Sequence, residues 1–250
     1  RSNEAATAPR RWGVISSTVK RIAENLGRAR ATIAEACSRA GRDPLDVQLV
    51  CVTKYARPEW IDGLLECGES VLGESRPQQL EQRAAEFPDH VQWHLLGQLQ
   101  RNKVRRTLAA TSLVHSVDSL RLLERIETIA IDEGRRPAVL LQINSSDDAG
   151  RNGFTPQTLR AAWPRVCELT RTDVRGLMTM APPSEDPLVT RAAFDSIREL
   201  AVDLRAIPVE EGAVALQELS MGMSNDYEIA VEAGATIVRL GRTLYEGLDG

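Results

Sequence analysis

The chain has 250 residues, 42% of them hydrophobic, and a formal net charge of -4 from 31 Lys and Arg against 35 Asp and Glu. That balance suits one large α/β domain or two small ones and excludes the basic excess expected of a nucleic-acid surface. No apolar run approaches the ~20 residues that span a bilayer, and the start lacks a signal-peptide core, so residues 1–10 read as a disordered tail before a single domain over 11–250.

Val14–Ala40 places Val19, Ile22, Ala23, Leu26, Ala29, Ile33 and Ala34 at helical spacing, an amphipathic helix of about seven turns that Gly41 stops. A rhythm of strand and helix follows. Val47–Lys54 reads as a strand and Pro58–Cys67 as a helix, with Pro58 in its first turn. Ser70–Glu74, Gln92–Gly97, Leu113–Asp118 and Ala138–Asn144 are the next four strands. Between them lie helices over Pro77–Phe87, Arg101–Ala110 and Leu120–Glu133, the last capped by Asp118 or Ser119. Thr155 and Pro156 open a helix to about Leu169. Val174–Met180 is strand six, Pro187–Ala206 a helix, Glu218–Met223 strand seven, and Thr236–Gly241 strand eight. Asn225 or Asp226 caps the helix between the last two strands. Asp147–Phe154 reads as a mobile loop at the mouth of the sheet, and Trp60 and Trp163 as helix residues packed on its outside.

Eight strands alternating with helices require a parallel sheet, and the length fits a single TIM (β/α)8 barrel with an extra N-terminal helix. A doubly wound open sheet is the competing architecture, because alternation does not establish closure. The four cysteines, Cys37, Cys51, Cys67 and Cys167, form no Cys-x-x-Cys pair, and His90, His94 and His115 fall in no metal-ligand spacing. Reduced thiols and no signal peptide point to the cytoplasm.

In a barrel the chemistry gathers at the C-terminal ends of the strands. Strand one is a continuous apolar run closed by Lys54. Its amine has two readings: a strand end snorkelling into water, or an amine held at the mouth to form a Schiff base with a carbonyl. Strand two ends at Ser75, strand five at Asn144, and strand seven runs through Met221 to Ser224. Ser224 starts a helix, where free N–H groups favour an anion, and Gly241 and Arg242 open a short final helix where a backbone can approach a ligand. Simple capping explains these residues equally well outside a barrel, whereas barrels often bind phosphate after strands seven and eight. No Walker motif or Gly-x-Gly-x-x-Gly is present. A reactive amine plus a phosphate grip points to pyridoxal 5′-phosphate (PLP), with its aldehyde at Lys54, its phosphate near Ser224 and Gly241, and its ring nitrogen near Arg239.

Six segments then carry a family resemblance: Leu-Val-Cys-Val-Thr-Lys (49–54), Leu-Gly-Glu-Ser-Arg (72–76), Trp-His-Leu-Leu-Gly-Gln-Leu-Gln-Arg-Asn-Lys (93–103), Val-Arg-Gly-Leu-Met-Thr-Met (174–180), Leu-Ser-Met-Gly-Met-Ser-Asn-Asp-Tyr (219–227) and Val-Arg-Leu-Gly-Arg (238–242). In this order the chain closely resembles the PLP homeostasis proteins, relatives of the alanine racemase N-terminal domain. The resemblance implies a monomeric, cytoplasmic TIM barrel with PLP as a Schiff base on Lys54. It implies phosphate contacts from Ser224, Gly241 and Arg242, and Arg239 beside the pyridine nitrogen. Ser75, Asn144 and Met221 complete the expected cofactor set. Ser75 replaces the family's usual asparagine and Gln98 a common histidine. The implied role is a carrier or buffer of PLP, with PLP-dependent apo-enzymes as partners and no nucleic acid or membrane. The alternative is a racemase of the alanine racemase type, with His94 as a substitute base. Racemisation needs an electron sink and usually a base on each face of the substrate, and Arg239, which only donates, weakens the sink. Racemases of this fold take their second base from an additional β-domain across a dimer. This chain is expected to lack that domain, because it ends just after strand eight.

Overall fold

The structure, a computed structural model, describes residues 16–145, 152–207 and 214–248. The tail and most of the loop expected over 147–154 lie outside these residues. Helix α1 (Ser17–Arg39) begins at Ser16, whose hydroxyl accepts from the Val19 N–H at 3.2 Å, and buries Ile22, Leu26, Ala29 and Ile33 along one face. It is the extra N-terminal helix. Asn25 in its buried stripe donates to the carbonyls of Leu244 and Glu246, both at 3.0 Å, so α1 holds the C-terminal segment as well as packing on the helical layer.

The βα rhythm follows. In chain order come β1 (Gln48–Val52), α2 (Pro58–Glu66), β2 (Val71–Glu74), α3 (Pro77–Glu86), β3 (Gln92–Leu95), α4 (Val104–Ala110), β4 (Leu113–Val117) and α5 (Leu120–Glu133). Then come β5 (Ala138–Ile143), α6 (Pro156–Cys167), β6 (Asp173–Thr179), α7 (Pro187–Arg205), β7 (Val214–Ser220), α8 (Tyr227–Glu232), β8 (Ile237–Leu240) and a closing 3-10 helix (Arg242–Tyr245). All neighbours are parallel, and β8 pairs back onto β1, so the sheet is a closed eight-stranded barrel and not an open one. Several boundaries differ from the sequence reading, three of them as follows. β1 stops at Val52, which leaves Lys54 in the turn beyond it. α4 starts at Val104, because the preceding residues close a turn through the Lys103 N–H and the Gln100 carbonyl at 2.9 Å. β7 starts at Val214, four residues earlier than expected, since its pairing with β6 already begins at Val174 and Val214.

Strand residues alternate between two apolar layers. Val50, Leu113, Ala138, Leu140, Met178 and Ile237 fill the barrel interior. Leu49, Cys51, Leu72, Trp93 and Val238 face the helices, where Trp60 and Trp163 are buried as expected. At the start of β6, Glu127 of α5 accepts from the N–H groups of Thr170, Arg171 and Thr172 and from the hydroxyls of Thr170 and Thr172, at 2.7–3.3 Å. Partial burial pushes its carboxyl up, but these donors outweigh burial and leave it below the usual carboxylate value. A carboxylate depressed on folding contributes stability above its unfolded pKa and loses it as pH falls through the folded one. Glu127→Gln is therefore expected to cost about 1 kcal/mol at neutral pH. Thermal melts should show that gap closing as pH falls through the carboxylate range; a gap constant with pH would refute the assignment.

Candidate functional site

The C-terminal mouth of the barrel gathers most of the expected residues. Lys54 stands two residues past β1, exposed, and makes no ion pair among the described residues. Its Nζ lies 5.1 Å from the ring centroid of Tyr55, which is itself 80% exposed. The register of the closing seam sets what stands beside it. Val50 pairs with Arg239 and Cys51 with Leu240, so Gly241 comes level with Val52. A Cβ on Gly241 would lie 3.3 Å from Val52 Cβ, a tight approach that glycine relieves just below Lys54. Ser75 follows β2 and is half-buried. Its carbonyl lies so close to Gly97 that a Cβ there would overlap it, which explains a glycine at the end of strand three. Asn144 follows β5, also half-buried, with its N–H bonded to the Phe154 carbonyl at 2.9 Å.

The loops after β7 and β8 meet each other. The Thr243 N–H donates to Ser224 Oγ at 3.4 Å, and the Arg242 guanidinium donates to Asn225 Oδ1. Asp226 accepts from the Met223 N–H at 2.6 Å. Burial pushes the Asp226 carboxyl up, against the opposing pull of the Met223 N–H and the Arg239 charge. Met221 departs from the rest of the set. Ser220 points into the barrel, so Met221 alternates outward, and its side chain is fully buried in the outer core. Gln98 is exposed beyond β3.

Arg239 is buried inside the barrel, where one arm donates to Ser220 Oγ at 2.6 Å and the other to the Thr179 carbonyl at 2.9 Å. Burial lowers its pKa to about 10, with Asp226 opposing, so it remains a cation at neutral pH. The chain of bonds continues inward. Ser220 Oγ lies 2.8 Å from His115 Nδ1, and His115 Nε2 lies 3.0 Å from His94 Nδ1. An arginine can only donate, so its bond leaves the Ser220 proton for His115. His115 then carries its proton on Nε2 and donates to His94, whose proton sits on Nε2. Burial, then the charges of His94 and Arg239, push His115 well down, and burial followed by Arg175 lowers His94 to about 4. Both rings are neutral at neutral pH. His94 is thus joined to Arg239 through His115 and Ser220.

Sequence reasoning missed Ser220, His115 and Thr179. The signal was present: a histidine in the apolar run Leu-Val-His-Ser-Val and a serine two residues before Gly222 both fall on the interior phase of their strands. Among the described residues no group of His, Cys, Asp and Glu could hold a metal, and no helix is long and apolar enough to cross a membrane.

A closed parallel barrel with an amine beyond its first strand and a buried guanidinium on its last defines a (β/α)8 barrel with a polar, cationic mouth. Residues 20–249 match the model of the alanine racemase N-terminal domain. The pyridoxal phosphate homeostasis protein of Aquifex aeolicus is 37% identical over 223 residues, 89% of this chain and 96% of that protein. The protein of the same name from Pseudomonas aeruginosa is 37% identical over 239 residues, 91% of this chain and 96% of its own. The structure of PipY from Synechococcus elongatus with PLP bound superposes with a TM-score of 0.77 at 36% identity, covering 90% of this chain and 99% of PipY. An alanine racemase of Clostridium difficile shares the fold, with a TM-score of 0.68 at 18% identity, over 92% of this chain and 58% of the racemase. The chain belongs to the alanine racemase N-terminal domain family and, within it, to the pyridoxal phosphate homeostasis proteins.

Proposed function

We propose that this chain binds PLP as a Schiff base on Lys54 and acts as an intracellular carrier or buffer of the cofactor, without efficient catalysis. The observation that carries this reading is the seam between β1 and β8, where the Val50–Arg239 register sets a free amine and a buried guanidinium at one side of one mouth. PLP supplies an aldehyde, to whose carbon the Lys54 nitrogen adds while the carbonyl oxygen leaves as water. Ser224, Gly241 and Arg242 fit its phosphate: two converging loops offer a hydroxyl, a guanidinium and backbone approachable at glycine. Arg239 has two arms anchored inside the barrel and further N–H groups to direct at a ring nitrogen. A donor that stays charged holds that nitrogen unprotonated, which suits storage better than carbanion chemistry. Ser75 and Asn144, which follow β2 and β5 at the same mouth, would complete the lining, while Met221 serves through packing. A PLP-dependent apo-enzyme as recipient, a monomeric state and a cytoplasmic location complete the proposal.

The test is borohydride reduction of the PLP-loaded protein, followed by peptide mapping. One adduct at Lys54 is expected, together with no exchange of the α-hydrogen of any amino acid for deuterium. A protein that takes up no added PLP overturns the reading, and α-hydrogen exchange dependent on Lys54 would replace the carrier with a racemase.

A further inference from the structure

The turn bearing Lys54 is gripped from outside the barrel by a buried ion pair. Gly73 faces the interior, against Val50 and Leu96, so Glu74 after it points toward the helices and is fully buried. Its Oε1 accepts from Arg83 of α3 and from Thr53 Oγ1, the latter at 2.6 Å. Arg83 reaches on past the carboxylate. One arm donates to the Thr53 carbonyl at 2.6 Å and the other to the Ala56 carbonyl at 2.8 Å. Gln79, one turn earlier on α3, donates to the Lys54 carbonyl at 3.4 Å. The turn also closes on itself through the Ala56 N–H and the Thr53 carbonyl at 2.7 Å. Three of its four carbonyls are thus taken by one helix.

Contact on both sides of the Lys54–Tyr55 pair is what a guanidinium offers, since its fork spans two acceptors that a lysine could not reach together. A buried ion pair is a weak source of net stability, because desolvation offsets the attraction. Its consequence here is geometric. Nearby, Tyr245 of the closing 3-10 helix stacks on Trp60 of α2 with centroids 5.2 Å apart, and burial pushes its hydroxyl up. The segment bearing Gly241 and Arg242 is therefore packed against α2, the helix that follows the turn.

We propose that Glu74 and Arg83 are positioning residues for Lys54, holding its backbone so that the amine meets an aldehyde in attack geometry. This extends the Schiff-base reading of Lys54. Orienting a nucleophile lowers the barrier without touching the reacting atoms.

The test compares wild type, Arg83→Lys and Arg83→Met by amide hydrogen exchange of the ligand-free protein and by the rate of Schiff-base formation with added PLP. Arg83→Met is expected to speed exchange over residues 54–57 by about tenfold or more, with α5 and β5 unchanged. It is also expected to slow the saturating rate of Schiff-base formation by about tenfold while leaving the half-saturating PLP concentration in place. Arg83→Lys, which keeps one arm, should fall between. Unchanged exchange, or an unchanged saturating rate in a folded variant, overturns the proposal. Should Arg83→Met not fold, Arg83→Lys and Gln79→Ala decide in the same way. A wild type that forms no Schiff base would refute the PLP reading alone, since the exchange measurement still decides whether Arg83 holds the turn.

Discussion

Lys54→Ala is expected to abolish the Schiff base completely while leaving the fold intact. The side chain is exposed and makes no ion pair among the described residues, so its removal should change unfolding stability by no more than about 0.5 kcal/mol. The yellow absorbance of the loaded protein and the borohydride-fixed label should both disappear. Any PLP still retained would be held through the loops after β7 and β8, and dialysis would remove it readily. This separation of binding from stability is what distinguishes a tether from a structural lysine. A Lys54→Ala protein that still fixes PLP with borohydride would move the tether to another amine and, with it, the whole reading of the mouth.

Arg239→Glu makes the opposite case, where fold and site are lost together. Arg239 is buried with two anchored arms, and its replacement would direct a carboxylate at the Thr179 carbonyl with Asp226 nearby. Ser220 would lose the donor that fixes its hydroxyl orientation, and the order of protons through His115 and His94 would lose its origin. An uncompensated buried charge costs about 3–5 kcal/mol, which urea unfolding at neutral pH should register. A carboxyl whose folded pKa is raised is penalised above its unfolded value, so the deficit should shrink as pH falls. Arg239→Met, with no charge to bury, should cost about 1–3 kcal/mol through the unmatched Thr179 and Ser220 acceptors. A stable Arg239→Glu variant with unchanged PLP spectrum would show that neither the interior network nor the ring-nitrogen contact exists.

The two variants also mark how far the residues could be read without coordinates. Lys54 was conspicuous because an amine closing an apolar run conflicts with the residues before it. Arg239 was conspicuous for the same reason, as a charge within Ile-Val-Arg-Leu. Ser220 and His115 were marked only by their interior phase, which names no partner, and the bond between them joins residues 105 positions apart. The Glu74–Arg83 grip was equally hidden. Each residue alone reads as a strand end or a solvated helix face, and only the packing of α3 against the β1–α2 turn makes them partners.

The periodicity of the chain dictated eight strands, their helices and the parallel sheet, because hydrophobic spacing and capping act over a few residues and are written locally. The extra helix α1 and the cluster of candidate residues at strand ends followed from the same local signals. Closure of the barrel was not local: it depends on β8 meeting β1 in one register across nearly 200 residues of chain, and that register sets Arg239 level with Val50 on the strand that leads to Lys54. The face each residue took was also decided there. A one-residue change of phase would exchange Met221 with Ser220, so the methionine expected at the cofactor lies in the outer core and the unremarked serine holds the guanidinium. Directions of side chains, and therefore the partners of buried charges, are settled by how the layers pack together.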